Sequence, residues 1–287
     1  MKEESLPPSF ASIAVEFYIP LAQLIADKKG ADDTPLTAGI NGAQGTGKST
    51  LSALLALTLE HNHNLNTAVI SIDDIYLTKQ ERMSLGTNIH PLFKTRGVPG
   101  THDVELGINL LRKLRSNKSF QLPIFNKAID DRASKEEWVE HSNPVDVILF
   151  EGWCVGAIPQ TSNSLAEACN ELERAEDPDA KWRTYVNDQL QEHYSELFSL
   201  LDMLVMLKAP NFECVYEWRS LQEEKLRIKQ EKSPNNSTTD IMNPSQIKRF
   251  IMHYERLTRW MLEEMPQRAD YVLELTPEHN IKQTSFL

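Results

Sequence analysis

Five short aliphatic runs alternate with longer stretches of mixed apolar and polar character along the chain. The runs are Leu36–Asn41, Thr67–Ile72, Val145–Phe150, Met203–Lys208 and Tyr271–Leu275, and each has the composition of a strand. Val145–Phe150 (V-D-V-I-L-F) and Met203–Lys208 (M-L-V-M-L-K) are nearly continuous in apolar residues, as strands are when helices cover both faces of a parallel sheet. Between them, Lys48–Glu60, Val104–Ser116, Ala180–Leu200, Phe212–Lys229 and Pro244–Met265 repeat apolar residues at helical spacing. Pro244 falls in the first turn of the last helix, where a missing N–H does little harm. The alternation predicts an open, three-layer α/β fold with a mainly parallel five-stranded sheet and extra helices. Ser9–Lys28 reads as an N-terminal helical segment, interrupted at Pro20 and packed outside the sheet. Glu231–Asn243 is a polar loop with a composition that favours disorder. Ser162–Asp179 is acidic and partly helical, which suggests a solvated surface insertion. No repeat divides the chain, so one domain over residues 1–287 is expected.

Composition narrows the function classes. With 287 residues, 40% of them hydrophobic, the chain can build a core without metal or disulfide staples. The longest apolar run, Leu51–Leu59, falls far short of a membrane span. Met1-Lys2-Glu3-Glu4 opens no secretion signal, and a cytoplasmic protein with reduced, buried thiols is expected. Cys154, Cys169 and Cys214 lack any metal-binding spacing. His61 and His63 follow a helix, where they suit the dipole better than a metal. The net charge of −11 argues against a nucleic-acid partner. Any phosphate ligand must therefore meet cations gathered locally, which makes each Lys and Arg near a motif informative.

The strongest motif is Gly42-Ala43-Gln44-Gly45-Thr46-Gly47-Lys48-Ser49-Thr50, a match to G-x-x-x-x-G-K-[ST] with a strand before it and a helix after it. Its glycines let the backbone wrap a phosphate and aim N–H groups inward, and the next helix adds the positive end of its dipole. Lys48 neutralises the β- and γ-phosphates, and the Ser49 hydroxyl is placed for Mg²⁺. ATP and Mg²⁺ are the expected cofactors.

Two further strands end in carboxylates. Ser71-Ile72-Asp73-Asp74-Ile75-Tyr76 sets a pair at the C-terminal end of Thr67–Ile72, the edge at which open α/β sheets bind ligands. A carboxylate there can take the proton of an attacking hydroxyl, although an Asp-Asp pair also suits a turn or a helix cap. Glu151, followed by Gly152 and Trp153, ends Val145–Phe150. It is placed to anchor Mg²⁺, directly or by polarising a metal-bound water.

The order of G-A-Q-G-T-G-K-S-T, S-I-D-D-I-Y-L-T, R-G-V-P-G-T-H-D, D-R-A, L-F-E-G-W and E-W-R resembles the D-glycerate 3-kinase-like family. That family is a branch of the phosphoribulokinase, uridine kinase and pantothenate kinase group. The resemblance runs from Tyr18-Ile19-Pro20-Leu21-Ala22 to the last strand. It implies the strand order 2-3-1-4-5, Asp73 as general base and Asp74 as a partner of substrate or Mg²⁺ water. It also implies a lid-like region over residues 211–243, with Arg219 reaching the phosphates and Arg227 as the next cation. Asp73 joins Ser49 and Glu151 as a candidate metal anchor.

The acceptor is expected to be a small, hydroxylated and anionic molecule. Two loops are candidates for its pocket. Arg96-Gly97-Val98-Pro99-Gly100-Thr101-His102-Asp103 brings Arg96, His102 and Asp103, though Asp103 is equally suited to cap the next helix. Asn126 to Arg132 brings Lys127 and Arg132, for which surface ion pairs are the competing reading. Tyr76 and Trp153 wall the pocket. D-glycerate, phosphorylated to 3-phosphoglycerate, is the acceptor the resemblance implies. Pantothenate, a nucleoside or a sugar phosphate is the alternative, and a non-catalytic ATP-binding regulator a more distant one.

Overall fold

The aliphatic runs become parallel strands of one sheet in the computed structural model, which describes residues 10–141, 144–232 and 242–286. The chain enters through α1 (Phe10–Ile13), a π-helical turn Ala14–Tyr18 and α2 (Ile19–Lys29). Pro20 sits in the first turn of α2, where it fits without a break, and the irregularity falls just before it. β1 (Leu36–Gly42) leads through the glycine loop into α3 (Lys48–His63), and β2 (Thr67–Ser71) runs into a 3₁₀ turn, Ile72–Ile75. α4 (Lys79–Asn88) and α5 (Val104–Arg115) follow. Next come the short strands β3 (Phe120–Leu122), β4 (Phe125–Asn126), β5 (Asp131–Arg132) and β6 (Val139–His141). β7 (Val147–Gly152), α6 (Glu171–Glu176), α7 (Lys181–Gln189), α8 (Ser195–Phe198) and β8 (Met203–Lys208) complete the middle of the chain. α9 (Phe212–Lys232), α10 (Pro244–Glu264), β9 (Tyr271–Leu275) and β10 (Ile281–Phe286) end it.

The main sheet has the order β10-β9-β8-β1-β7-β2, with β10 antiparallel to β9 and every other pairing parallel. β10 is an addition to the five expected strands. Its sequence, I-K-Q-T-S-F, has no continuous apolar run because it lies at an edge. Period-2 alternation sends Ile148, Phe150, Leu204 and Met206 to one face and Val147, Leu149, Met203 and Val205 to the other. The first face is covered by α5, α7 and α10, through residues such as Leu111, Trp182 and Leu257. α2, α3 and α9 cover the second, through Ile25, Leu55 and Val215.

Local chemistry fixes the helix starts nearest the site. Asn243 and Gln246 cap α10 reciprocally, with Pro244 at its first turn. Asp103 accepts the Leu106 N–H at 3.0 Å and so caps α5. The helix expected over Ala180–Leu200 is split by a π-helical turn at Leu190–Tyr194, which directs Tyr194 inward. The expected disorder of Glu231–Asn243 concerns mainly residues 233–241, which lie outside the described residues; Glu231 and Lys232 continue α9.

The acidic segment Ser162–Asp179 is not merely a solvated face. Glu173 and Asp177 are buried, paired with Arg256 of α10 at 2.6 Å and with Arg183 at 3.0 Å. The first bond staples the insertion to α10 and the second ties it to α7. The cysteines depart from expectation at one position: all three are free and Cys154 and Cys214 are buried as expected, but Cys169 is exposed. Among the described residues, no helix is long and apolar enough to cross a membrane.

α10 also buries a histidine outside the cleft. His253 packs edge-on to Trp182 at 5.9 Å, and burial pushes its pKa down from 6.5 to about 4. The folded protein therefore keeps this ring neutral where the unfolded chain protonates it. Its stabilising effect is complete above pH 6.5 and is lost as pH falls towards 4. Stability should drop by roughly 1 kcal/mol per pH unit across that window from this one group. Melting curves of the parent and of His253→Gln check this, since the variant should have the shallower dependence.

Candidate active site

All the motifs converge on the C-terminal ends of the parallel strands. Gly45 of the phosphate loop has φ +84°, and a Cβ there would lie 2.8 Å from the Trp218 Cβ. Only glycine lets α9 approach so closely. The Trp218 indole N–H donates to the Pro277 carbonyl at 2.8 Å, and His279 bonds the Gly45 carbonyl through Nε2 at 2.9 Å. The β9–β10 connection thus clamps the loop from behind. Inside it, the Thr46 hydroxyl donates to the Ala43 carbonyl at 2.8 Å and Lys48 Nζ to the same oxygen at 3.2 Å. α3 then anchors the loop through buried Leu51, Leu55 and Leu59.

Strand register assembles the polar groups. Glu151 of β7 lies beside Ile40 of β1 and Ser71 of β2. The Asn41 side chain ties β1 to the segment after β7 by donating to the Trp153 and Val155 carbonyls at 3.2 and 2.8 Å. Ser49 then donates to Glu151 Oε1 at 3.0 Å. The Ser71 hydroxyl accepts the Asp73 N–H at 3.2 Å and caps the 3₁₀ turn, which fixes the Asp73 backbone. Both Asp73 oxygens are engaged: Tyr76 O–H donates to Oδ1 at 3.0 Å and Lys127 Nζ to Oδ2 at 2.7 Å.

Electrostatics follow this packing. Burial lowers the Lys48 pKa, while the charges of Glu151 and Asp73 oppose that shift. Burial pushes the Asp73 carboxyl up, but the charge and hydrogen bond of Lys127, with the Tyr76 hydrogen bond, outweigh it and hold the group below the ordinary carboxylate value. Asp74 moves the other way, raised by burial.

These groups line a cleft of about 630 Å³. Its walls carry Lys48, Arg96, Lys127, Arg219 and Lys225 against only Asp73 and Glu151. In a chain of net charge −11, that local excess of cations suits anionic ligands. Arg219 pairs with Glu223, and its guanidinium lies 5.8 Å from the Phe250 ring centre. Lys225, rather than Arg227, is the next cation of α9 to line the cleft, and Arg227 pairs with Glu224. Gln222, Lys225, Phe250 and Tyr254 were not expected from the sequence. Spacings of i, i+3, i+6 from Arg219 and i, i+4 from Phe250 are the signals that place them on single helix faces.

Four expected substrate residues do not line the cleft. Asp74 Oδ1 accepts the Phe125 N–H at 3.3 Å and so holds β4. Asp103 caps α5 and pairs with Arg132 at 3.2 Å. Arg132 also donates to the Tyr76 carbonyl at 2.7 Å, so its guanidinium holds backbone in place. His102 is 4% exposed, stacks on Tyr76 at 4.5 Å and bonds Tyr194 O–H at 2.6 Å. Burial pushes its pKa down to about 3, which keeps it neutral. These residues support the wall that Tyr76 and Asp73 present. Arg96 and Lys127 do reach the cleft, as do Tyr76 and Trp153. Gly97 shapes the Arg96 loop: it has φ +139°, and a Cβ would collide with the Tyr254 hydroxyl at 2.1 Å.

The loop and carboxylates suit Mg²⁺-bound nucleotide. Among the described residues there is no cluster of three or more His, Cys, Asp or Glu side chains able to hold a metal unaided. The Ser49–Glu151 pair instead fits a cation that draws its remaining oxygens from phosphate and water.

A cleft so built, on a parallel sheet behind a glycine-rich phosphate loop, is that of a P-loop kinase acting on small molecules. No protein-family model matches the chain. The "Uncharacterized kinase mug58" of Schizosaccharomyces pombe is 32% identical over 236 residues, which cover 77% of this chain and 78% of that protein. "D-glycerate 3-kinase, chloroplastic" of Arabidopsis thaliana is 29% identical over 253 residues, 85% of this chain but only 52% of the plant protein. The solved D-glycerate 3-kinase of Cryptococcus neoformans var. grubii superimposes with a TM-score of 0.78 at 26% identity, covering 95% of this chain and 99% of that one. The chain belongs to the D-glycerate 3-kinase-like family of P-loop kinases.

Proposed function

We propose that the protein transfers the γ-phosphoryl group of ATP to D-glycerate, giving 3-phosphoglycerate, with Asp73 as general base. The observation that carries this reading is the placement of Asp73 in one cleft with the phosphate loop and with two cations, Lys127 and Arg96, beyond those the nucleotide needs. An acceptor as small as glycerate offers little apolar area, so charge-assisted bonds to its carboxylate must supply its affinity. The names of the plant and fungal relatives support the same acceptor.

In this reading Gly42–Thr50 would cradle the phosphates, and Ser49 with Glu151 would hold Mg²⁺. Bound ATP–Mg²⁺ supplies the phosphoryl group and polarises it. Asp73 accepts the proton of the acceptor hydroxyl as that oxygen bonds to phosphorus and ADP leaves. Lys48 and Arg219 neutralise charge that develops on the phosphates, and α9, the helix that begins the expected lid region 211–243, covers them; residues 233–241 of that region lie outside the described residues. Most of the rate comes from alignment and charge neutralisation.

A coupled assay for ADP release over D-glycerate, pantothenate and uridine tests the acceptor. Stimulation by D-glycerate with 3-phosphoglycerate as product is expected. Turnover of another hydroxylated metabolite alone would leave the kinase in place and remove the acceptor. Arg96 is tied to Asp130 through one nitrogen, which leaves further donors for the cleft. Arg96→Ala should raise the KM for glycerate at least about tenfold, because a charged hydrogen bond is worth roughly 1.5–3 kcal/mol. The KM for ATP should hardly change, and equal effects on both would contradict the role.

A further inference from the structure

We propose that Lys127 is a latch on the base: it keeps Asp73 engaged until an anionic acceptor draws its ammonium away. The inference rests on the reading of Asp73 as general base and adds a control to it. Its starting point is that each Asp73 oxygen already accepts a hydrogen bond, one of them from a charged ammonium. Tyr76 O–H holds Oδ1 at 3.0 Å and Lys127 Nζ holds Oδ2 at 2.7 Å. Each oxygen keeps a second lone pair for an incoming hydroxyl, but an ammonium 2.7 Å from Oδ2 neutralises the carboxylate and makes it a poorer proton acceptor until it moves away.

Lys127 is the partner able to leave. The Tyr76 side chain is 3% exposed and fixed by its stack on His102. The Lys127 side chain is 61% exposed, and among the described residues its ammonium has no hydrogen bond other than that to Asp73. The β4–β5 ribbon that carries it cannot readily swing. Phe125 N–H is held by Asp74, Arg132 by the Tyr76 carbonyl, and Asp131 by the Lys79 N–H at 2.8 Å. These anchors place the ribbon on the same turn that bears Asp73, so release requires only rotation of the flexible lysine stem. Arg96 is unlike it, being paired with Asp130 and lying 5.4 Å from the Phe125 ring centre.

An ion pair open to solvent is weak, so a competing carboxylate in the cleft suffices to open it. An acceptor that carries an anion therefore draws the ammonium off Oδ2 as it binds and restores the carboxylate's full charge. Water carries none and leaves the latch shut. The suppressed side reaction is hydrolysis: water would give its proton to Asp73, its oxygen would bond to the γ-phosphorus, and ADP would leave with inorganic phosphate as the other product. The latch thereby couples cleavage of ATP to the presence of an anionic acceptor.

The experiment compares the parent, Lys127→Met, Asp73→Asn and the double variant, each checked by circular dichroism. Lys127→Met should raise ADP release without acceptor by about fivefold, the occupancy that an exposed ion pair sustains, and should weaken transfer to glycerate. The double variant should return hydrolysis to background, which shows that the rise passes through Asp73. A second readout needs no turnover: acetic anhydride labelling of Lys127 in the nucleotide-free protein, followed by mass spectrometry. Lys127 should be protected in the parent and reactive in Asp73→Asn. Unchanged or lower hydrolysis in folded Lys127→Met, or equal labelling in both proteins, overturns the latch. Full glycerate phosphorylation by Asp73→Asn removes the base assignment instead, and the two failures are told apart by which variant misbehaves. Should Lys127→Met fold poorly, Lys127→Gln replaces it in the same comparison.

Discussion

Lys48→Ala should abolish ATP turnover, with a loss on the order of 10³-fold, while leaving the fold intact. The ammonium lies within the fields of Glu151 and Asp73 and donates to the Ala43 carbonyl of its own loop. It is the cleft cation that the phosphate loop itself supplies, at the start of the helix whose dipole also points into the site. Removing one such preorganised donor costs about 10²–10³-fold in rate. Lys48 also carries a full charge, so the upper end of that range is expected. The core does not depend on it, because Leu51, Leu55 and Leu59 seat α3 against the sheet. Parent and variant should therefore give matching circular dichroism and similar melting curves. Normal turnover in a folded variant would remove the phosphate-loop assignment.

What the sequence revealed of the site depended on how local each signal is. The glycine loop is a contiguous motif between a strand and a helix, so Gly42–Thr50 is legible from its residues alone. Asp73 and Glu151 are legible for a similar reason, as carboxylates that end apolar runs on a ligand-binding edge. The β4–β5 ribbon is not, since strands of two residues have no periodicity and exist only because Asp74, Tyr76 and Lys79 hold them. The roles of Arg132 and His102 are hidden in the same way. Nothing in D-R-A says that the guanidinium points to the Tyr76 carbonyl, and nothing in T-H-D says that a distant π-helical turn brings Tyr194 to the ring. Glu173 illustrates the converse error. In sequence it belongs to an acidic run that resembles a wet surface, yet its partner Arg256 lies on α10 and draws it into the interior. Charge patterns describe an element's own face, and distant partners decide whether that face meets water.

Asp73→Asn should lower kcat by about 10²–10⁴-fold, the usual contribution of a general base, with the KM for ATP little changed. The substitution keeps the shape that accepts the Tyr76 hydroxyl and removes the charge that attracts Lys127. Lys127 is open to solvent and can relax, so the fold should tolerate the change. The phosphate loop is held separately by Trp218, His279 and α3, which is why nucleotide affinity should survive. The neighbouring carboxylate provides the control. Asp74 does not line the cleft and holds the Phe125 N–H, so Asp74→Asn loses charge at a wall and should act mainly through ribbon position. Steady-state kinetics of the two variants over both substrates separate the roles. A crippled Asp74→Asn beside a mild Asp73→Asn would move the base by one residue. Strong loss in Asp73→Asn that is rescued by raising Mg²⁺ would instead make Asp73 a metal anchor alongside Ser49 and Glu151, because a missing proton acceptor cannot be restored by more metal.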